Sequence, residues 1–386
     1  MRKRPSFRTI VLKLIFKFRG GVLTYRPSGV PKGRVLFSHD KTPFVNPDHS
    51  VNTHANYWTA VEMVKIFNEK GYIVDVIDNN NQNFVPKKHY KYFIVLEQNM
   101  DHIAPLLNKD CVKVLHIVAA HWLFQNTAEY TRCLDLQRRR GETFIPQRAT
   151  RPTFSIEHAD CATMIGNKFT ANTYAFAGKK IYSTPLPCAY EYPFPEDKNF
   201  DASRNNFIWF GGAGAVHKGL DLVLEAFAQM PEYNLTVFGK STTDGRFMEI
   251  YKKELTQTPN IKVLGYINFD DGSFDKIRKE TNAIVYPSCS EGTAGSAVMS
   301  LHGGVLPIVS YESGLDTEGF GITLRENTIE DIKRAVHELA SLPADELKRR
   351  AREGWEFVRE NHSQARFVTN YRAFVEELEA GAHAHV

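Results

Sequence analysis

The chain has 386 residues, more than one ordinary hydrophobic core organises, so two domains are expected. Hydrophobic residues make up 42% and charged residues 24%, a globular composition, and a net charge of +4 argues against the strong basic field of a dedicated nucleic-acid binder. Cysteines 111, 133, 161, 188 and 289 are scattered, odd in number and without a CxxC pair, which argues against a disulfide framework or zinc site and for a reduced, cytoplasmic chain.

At the N-terminus, Phe7, Ile10, Val11, Leu14 and Phe18 recur at helical spacing among Arg2, Lys3, Arg4, Arg8, Lys13, Lys17 and Arg19. Lys13 and Lys17 interrupt the apolar run, so neither a signal peptide nor a membrane span is expected. Two readings stand for residues 1–20. One is a basic amphipathic helix in peripheral contact with an anionic membrane at the cytoplasmic face; the other is a helix docked on the protein with a solvated basic face.

Short apolar runs then alternate with helical periodicity. Strands are expected at 35–38, 72–77, 92–96, 112–118 and 161–165, and helices at 58–69, 125–139 and 169–176. Residues 185–204 carry Pro185, Pro187, Pro193 and Pro195 and read as a linker. A second alternation follows, with strands at 207–210, 235–238, 261–266, 283–286 and 307–310 and helices at 220–229, 247–255 and 274–279. Residues 329–378 are helical, with a break at Pro343. The pattern is α/β: two doubly wound Rossmann-like domains facing across a cleft, at 21–190 and 207–360. The linker is 191–206, and 361–386 is a C-terminal helix that can cross back to the first domain.

Two segments carry candidate chemistry. In residues 207–221 a strand enters a loop with Gly211, Gly212 and Gly214, and Lys218 and Gly219 open a helix. Such a loop brings bare amides and one cation to an anion and suits a diphosphate. It lacks the GxxxxGK[ST] pattern, and His217 stands where a dinucleotide fingerprint has its third glycine. In residues 285–304 a strand ends at Pro287, Glu291 follows at the loop mouth, and a short helix starts near Ala294. Glu291 can accept hydrogen bonds from sugar hydroxyls, and Gly292, Thr293, Ala294, Gly295 and Ser296 can present amides to phosphate oxygens.

These segments resemble the GT-B-fold, family 4 type (group 1) retaining glycosyltransferases. The run 218–227, KGLDLVLEAF, is similar to their KGxDxLLEAF stretch; 286–292, YPSCSEG, to their PSxxEG loop; 306–310, LPIVS, to their G(x)PVVxS strand; and 155–166 to their EEADxIIxxS approach. The likeness covers the C-terminal half well and the first 150 residues weakly. It implies transfer of a sugar from a nucleotide-diphosphate sugar to a glycan or lipid-linked acceptor, with retention, in polysaccharide or glycoconjugate synthesis. No cofactor is implied, the nucleotide sugar being a substrate. A non-catalytic nucleotide-sugar-binding relative and a nucleotide-sugar epimerase are the alternatives.

The resemblance makes Lys218 the diphosphate contact and Glu291 the first Glu of the E-x7-E motif. The motif's second Glu falls on Met299, and the usual Arg five residues before the Lys falls on Ala213. Neither replacement can do the original's work, since Met299 accepts no ribose hydrogen bond and Ala213 carries no charge. His121, after the fourth expected strand, is the expected catalytic residue of the N-terminal domain together with Glu291, and His116 the structural one. The polar loop with His39, His49 and His54 faces the cleft, with His54 and Asn56 as acceptor-side candidates. The run Arg138, Arg139, Arg140 is either a phosphate contact or a solvated helix end. No Asp-x-Asp occurs, so a metal-independent reaction is expected.

Overall fold

The computed structural model describes residues 6–18, 20–47, 55–96, 98–317 and 319–381. Thirteen strands are present among them. Those of the first half are β1 (Val22–Tyr25), β2 (Gly33–His39), β3 (Tyr72–Asp78), β4 (Tyr92–Val95), β5 (Val112–Ile117), β6 (Cys161–Ile165) and β7 (Ile181–Thr184). They form one sheet in the order β1-β3-β2-β4-β5-β6-β7, parallel except that β1 runs antiparallel to β3. The second half holds β8 (Asn206–Phe210), β9 (Asn234–Phe238), β10 (Ile261–Gly265), β11 (Ala283–Tyr286), β12 (Leu306–Ser310) and β13 (Ile322–Leu324). Their order is β10-β9-β8-β11-β12-β13, all parallel.

Both sheets are covered by helices on each face, which is why β3, β4, β6, β11 and β12 are buried along their whole length and read as apolar runs. Each domain has its own core. In the first, Val35, Phe37, Val74, Val76 and Ile94 pack under helix Ala55–Glu69. Phe367, Tyr371, Phe374, Val375 and Leu378 of the C-terminal helix Gln364–Glu379 join that core, so the chain ends on the domain it began with. The second core is built on Phe207, Trp209, Leu220, Val223, Ile284 and Ile308.

The end of the chain is three helices, Ile329–Ala340, Ala344–Asn361 and Gln364–Glu379. The expected break at Pro343 is joined by a second at Ser363, whose side chain caps the last helix by accepting from the Arg366 amide. The expected helix over 247–255 is two short ones, Gly245–Ile250 and Lys252–Gln257.

One element departs from the simple two-domain division. Helix Trp122–Arg140 begins at the carboxyl end of β5 and reaches across to the second domain. Cys133 and Leu136, with Phe144 beyond the helix, lie in the second core. Gly141 ends the helix in the left-handed conformation, φ +70°, and turns the chain onto the second domain's surface.

Candidate active site

The carboxyl ends of β8 and β11 deliver the two loops to one place. Lys218 Nζ lies 2.5 Å from Glu291 Oε1, and both side chains are nearly buried. Tyr286 Oη (3.3 Å) and Ser288 Oγ (3.2 Å) donate to the same carboxylate oxygen. Burial alone would push the Glu291 carboxyl up, but the Lys218 ammonium, with His217 next, outweighs it and holds the pKa at about 2. The same contact pushes Lys218 up against its own burial. The pair is charged throughout the neutral range and preorganised.

Close packing forces glycine at three positions around the pair. A Cβ on Gly219, φ +73°, would meet Pro287 O at 2.4 Å, which lets the Lys218 turn lie on the β11 loop. A Cβ on Gly292 would meet Val118 O at 2.3 Å and Ile165 O at 2.6 Å, so this loop seats directly on the carboxyl ends of β5 and β6. Gly239, φ +104°, packs against Gly211 O. Thr170 Oγ1 donates to Gly292 O (3.0 Å) and Nη1 and Nη2 of Arg132 to Pro287 O (3.2 Å each), tying the first domain to this loop.

The expected amide donors divide into two groups. Those of Gly212, Gly292, Thr293, Gly295 and Ser296 have no acceptor among the described residues, and the last two open helix Gly295–His302. An oriented group of this kind attracts an anion. The Ala294 amide is a correction to expectation, because it donates to Ser313 O (2.8 Å). So is that of Gly214, which donates to Gln147 Oε1 (3.1 Å) of the first domain.

Other candidates are placed as follows. His121 caps helix Trp122–Arg140, its Nδ1 accepting from Leu123 N at 3.4 Å, with the ring among Trp122, Tyr174 and Phe176. Burial lowers its pKa, and among the described residues no hydrogen bond joins it to Lys218 or Glu291. His116 is fully buried against Thr163 Oγ1 (2.8 Å), and burial depresses it to about 3. His39 is buried and stacks on Phe37. Asn56 opens helix Ala55–Glu69, its carbonyl accepting from Thr59 Oγ1, while His49 and His54 lie outside the described residues. Met299 is part of the second core.

Arg139 and Arg140 are neither a phosphate contact nor a solvated helix end. Arg139 binds Asp221 (2.6 Å) and Glu225 (3.2 Å), and Arg140 binds Glu225 (3.2 Å) and Glu254 (2.7 Å), across the domain boundary. Arg138 pairs within its own helix with Asp135.

His217 is the residue sequence reasoning missed; only its position beside Lys218 hinted at it. Its Nε2 lies 2.5 Å from Ser290 O, and its Nδ1 lies 3.7 Å from Cys289 Sγ and 3.8 Å from Glu129 Oε2 of the first domain. It pins both donor-side loops to helix Trp122–Arg140. Burial works against its charged form, but the Cys289 and Glu129 contacts prevail and hold the pKa up at about 9. A raised folded-state value contributes stability that is complete below the ordinary 6.5 and lost as pH rises through about 9. Wild type therefore loses melting temperature between pH 6.5 and 9 by more than His217→Gln does; parallel slopes in thermal scans would refute the assignment.

Grooves of about 470 and 750 Å³ lie elsewhere, one at the amino ends of β2 to β5 and one beside edge strand β10. Open α/β sheets bind ligands at the carboxyl ends of their strands, and the charged pair and open amides are there.

Residues 194–354 match the model of glycosyl transferases group 1. The C-terminal domain belongs to this family. The glycogen synthase of Thermosipho melanesiensis is 30% identical over 136 residues, 35% of this chain and 27% of that enzyme, so the match spans little more than a quarter of that relative. The sucrose-phosphate synthase of Thermosynechococcus elongatus superposes with TM-score 0.64 at 12% identity, covering 91% of this chain and 100% of that one. Anabaena HepE in complex with UDP and glucose gives TM-score 0.58 at 10% identity, covering 90% and 100%. At such identities the likeness is one of fold, and that fold is GT-B.

Proposed function

We propose that this chain is a retaining glycosyltransferase that moves a sugar from a nucleotide-diphosphate sugar to a glycan or lipid-linked acceptor, in polysaccharide or glycoconjugate synthesis. The observation that carries the reading is the buried Lys218–Glu291 pair between two loops at the carboxyl ends of β8 and β11. In the proposed reaction Lys218 and the open amides stabilise negative charge growing on the departing diphosphate, the kind of term that dominates many transfer reactions. Glu291 accepts hydrogen bonds from the donor sugar and orients it; it is given no covalent role. His121 borders the acceptor side through its place after β5. The reaction needs no divalent metal, so turnover persists in EDTA.

The HepE neighbour was solved with UDP-glucose, which makes that compound the first donor to assay. Release of UDP from it, or of the matching diphosphate from GDP-, ADP- or dTDP-sugars, tests the reading with and without glycan acceptors. A second reading, a non-catalytic binder of nucleotide sugars, is favoured by Met299 lying in the core where a ribose-reading carboxylate would be. Binding without any release or transfer would decide for it.

A peripheral membrane contact is part of the proposal. Helix Phe7–Phe18 exposes Phe7 (82%), Ile10 (45%), Leu14 (49%) and Phe18 (85%), while Thr9 and the half-buried Phe16 hold it to the first domain. An apolar stripe flanked by Arg8, Lys13 and Lys17 suits an anionic lipid surface. No helix among the described residues is long and apolar enough to cross a membrane. Phe7→Ser/Phe18→Ser should lose co-sedimentation with phosphatidylserine vesicles at least about tenfold; equal binding by both forms would end the idea.

A further inference from the structure

We propose that Arg148, from the first domain, is a ligand of the donor diphosphate and completes the anion site of the second domain; this rests on the donor-site reading above. Its backbone is fixed at both its amide and its carbonyl. The Arg148 amide donates to both oxygens of Glu129 (2.9 Å each), and its carbonyl accepts from Gln125 Nε2 (2.6 Å). Neighbouring Gln147 accepts from the Gly214 amide and donates to Asp244, which clamps this loop onto the glycine-rich turn.

The side chain then runs over the turn itself. Arg148 Cγ would lie 2.6 Å from a Cβ on Gly214, whose φ of +94° also excludes other residues, so the turn is shaped to admit the arginine stem. The guanidinium is exposed and has no hydrogen-bond or ion-pair acceptor among the described residues. It is near enough to the pair to lower both the Glu291 carboxyl and the Lys218 ammonium.

Charge balance says what it is for. Lys218 is neutralised by Glu291, so the pair presents no net charge to an incoming diphosphate. The arginines around it are already engaged, Arg132 on Pro287 O and Arg139 on Asp221. Arg148 is left as an uncommitted cation whose stem lies on the Gly214 turn, and its planar fork fits two phosphate oxygens. The arginine comes from the first domain, so donor binding would hold the two domains together.

Titration calorimetry with UDP, GDP, ADP and dTDP, each beside its monophosphate, tests this on wild type, Arg148→Gln and Arg148→Gln/Ala213→Arg. Gln keeps part of the stem over Gly214. Arg148→Gln is expected to weaken the preferred diphosphate about 10- to 100-fold and the monophosphate much less. The exposed neighbour Ala213, on the same turn, should restore a large part of the loss when it carries the arginine. Diphosphate affinity of Arg148→Gln within twofold of wild type, at unchanged melting temperature, would overturn the proposal and leave the donor site standing. No diphosphate binding by wild type would overturn both. If Arg148→Gln melts early, rescue of affinity by the double variant supports the charge role, and its absence counts against it.

Discussion

Lys218→Gln should reduce transfer about 10²- to 10³-fold with the fold retained. The ammonium is the positive charge of the pair, and its fixed position means no reorganisation is needed when charge develops on the leaving group. Loss of the ammonium also changes its partner. Burial of Glu291 would then be opposed chiefly by His217 and Arg148, so its pKa rises from about 2. In wild type that depressed value contributes stability present above the ordinary 4.5 and lost as pH falls toward about 2. The variant should lose sugar binding at a higher pH than wild type as the solution is acidified. A fall in transfer under threefold would remove Lys218 from the reacting end of the site.

The second large effect is on stability. Arg139→Ala should cost about 3–5 kcal/mol, because it leaves Asp221, which is 0% exposed, with a buried carboxylate and one oxygen already unpartnered. Burial pushes the Asp221 pKa up, and Arg132 and Arg139 oppose it. Asp221→Asn should cost much less, because it removes the buried charge itself while Arg139 keeps Glu225 and partial solvent contact. Thermal or urea unfolding of the two variants measures the asymmetry. Equal costs would mean that the ion cluster does not hold helix Trp122–Arg140 on the second domain.

What could be read in the sequence follows from burial. Parallel strands covered on both faces must be apolar throughout, so β3, β4, β6, β11 and β12 stand out. Edge strands need not be, and β1, β7 and β13 escaped notice because they are short and only partly buried. That Lys218 and Glu291 stand on two loops after two strands of one domain was legible, the kind of local grammar that spacing preserves; their ion pair was not. Nor were the contacts across domains. Glu129 to His217, Arg139 to Asp221 and Arg148 to the Gly214 turn join residues far apart in sequence, and nothing in a helical periodicity shows that helix Trp122–Arg140 changes domains midway. The cap and the aromatic cluster that surround His121 were likewise not legible, because Tyr174 and Phe176 come from later in the chain. Met299 read as a lost ribose contact, and the structure adds that a carboxylate put back there would enter an apolar core.

The central claim is that Glu291 reads the donor sugar beside a diphosphate held by Lys218. Calorimetric affinities of wild type and Glu291→Ala for UDP-, GDP-, ADP- and dTDP-sugars, each compared with its plain diphosphate, test it most directly. Wild type should prefer one nucleotide sugar over the matching diphosphate. Glu291→Ala should lose that preference while its diphosphate affinity holds or rises, since Lys218 is released from its partner. Unchanged sugar preference in Glu291→Ala, or no nucleotide-sugar binding by wild type, would contradict it.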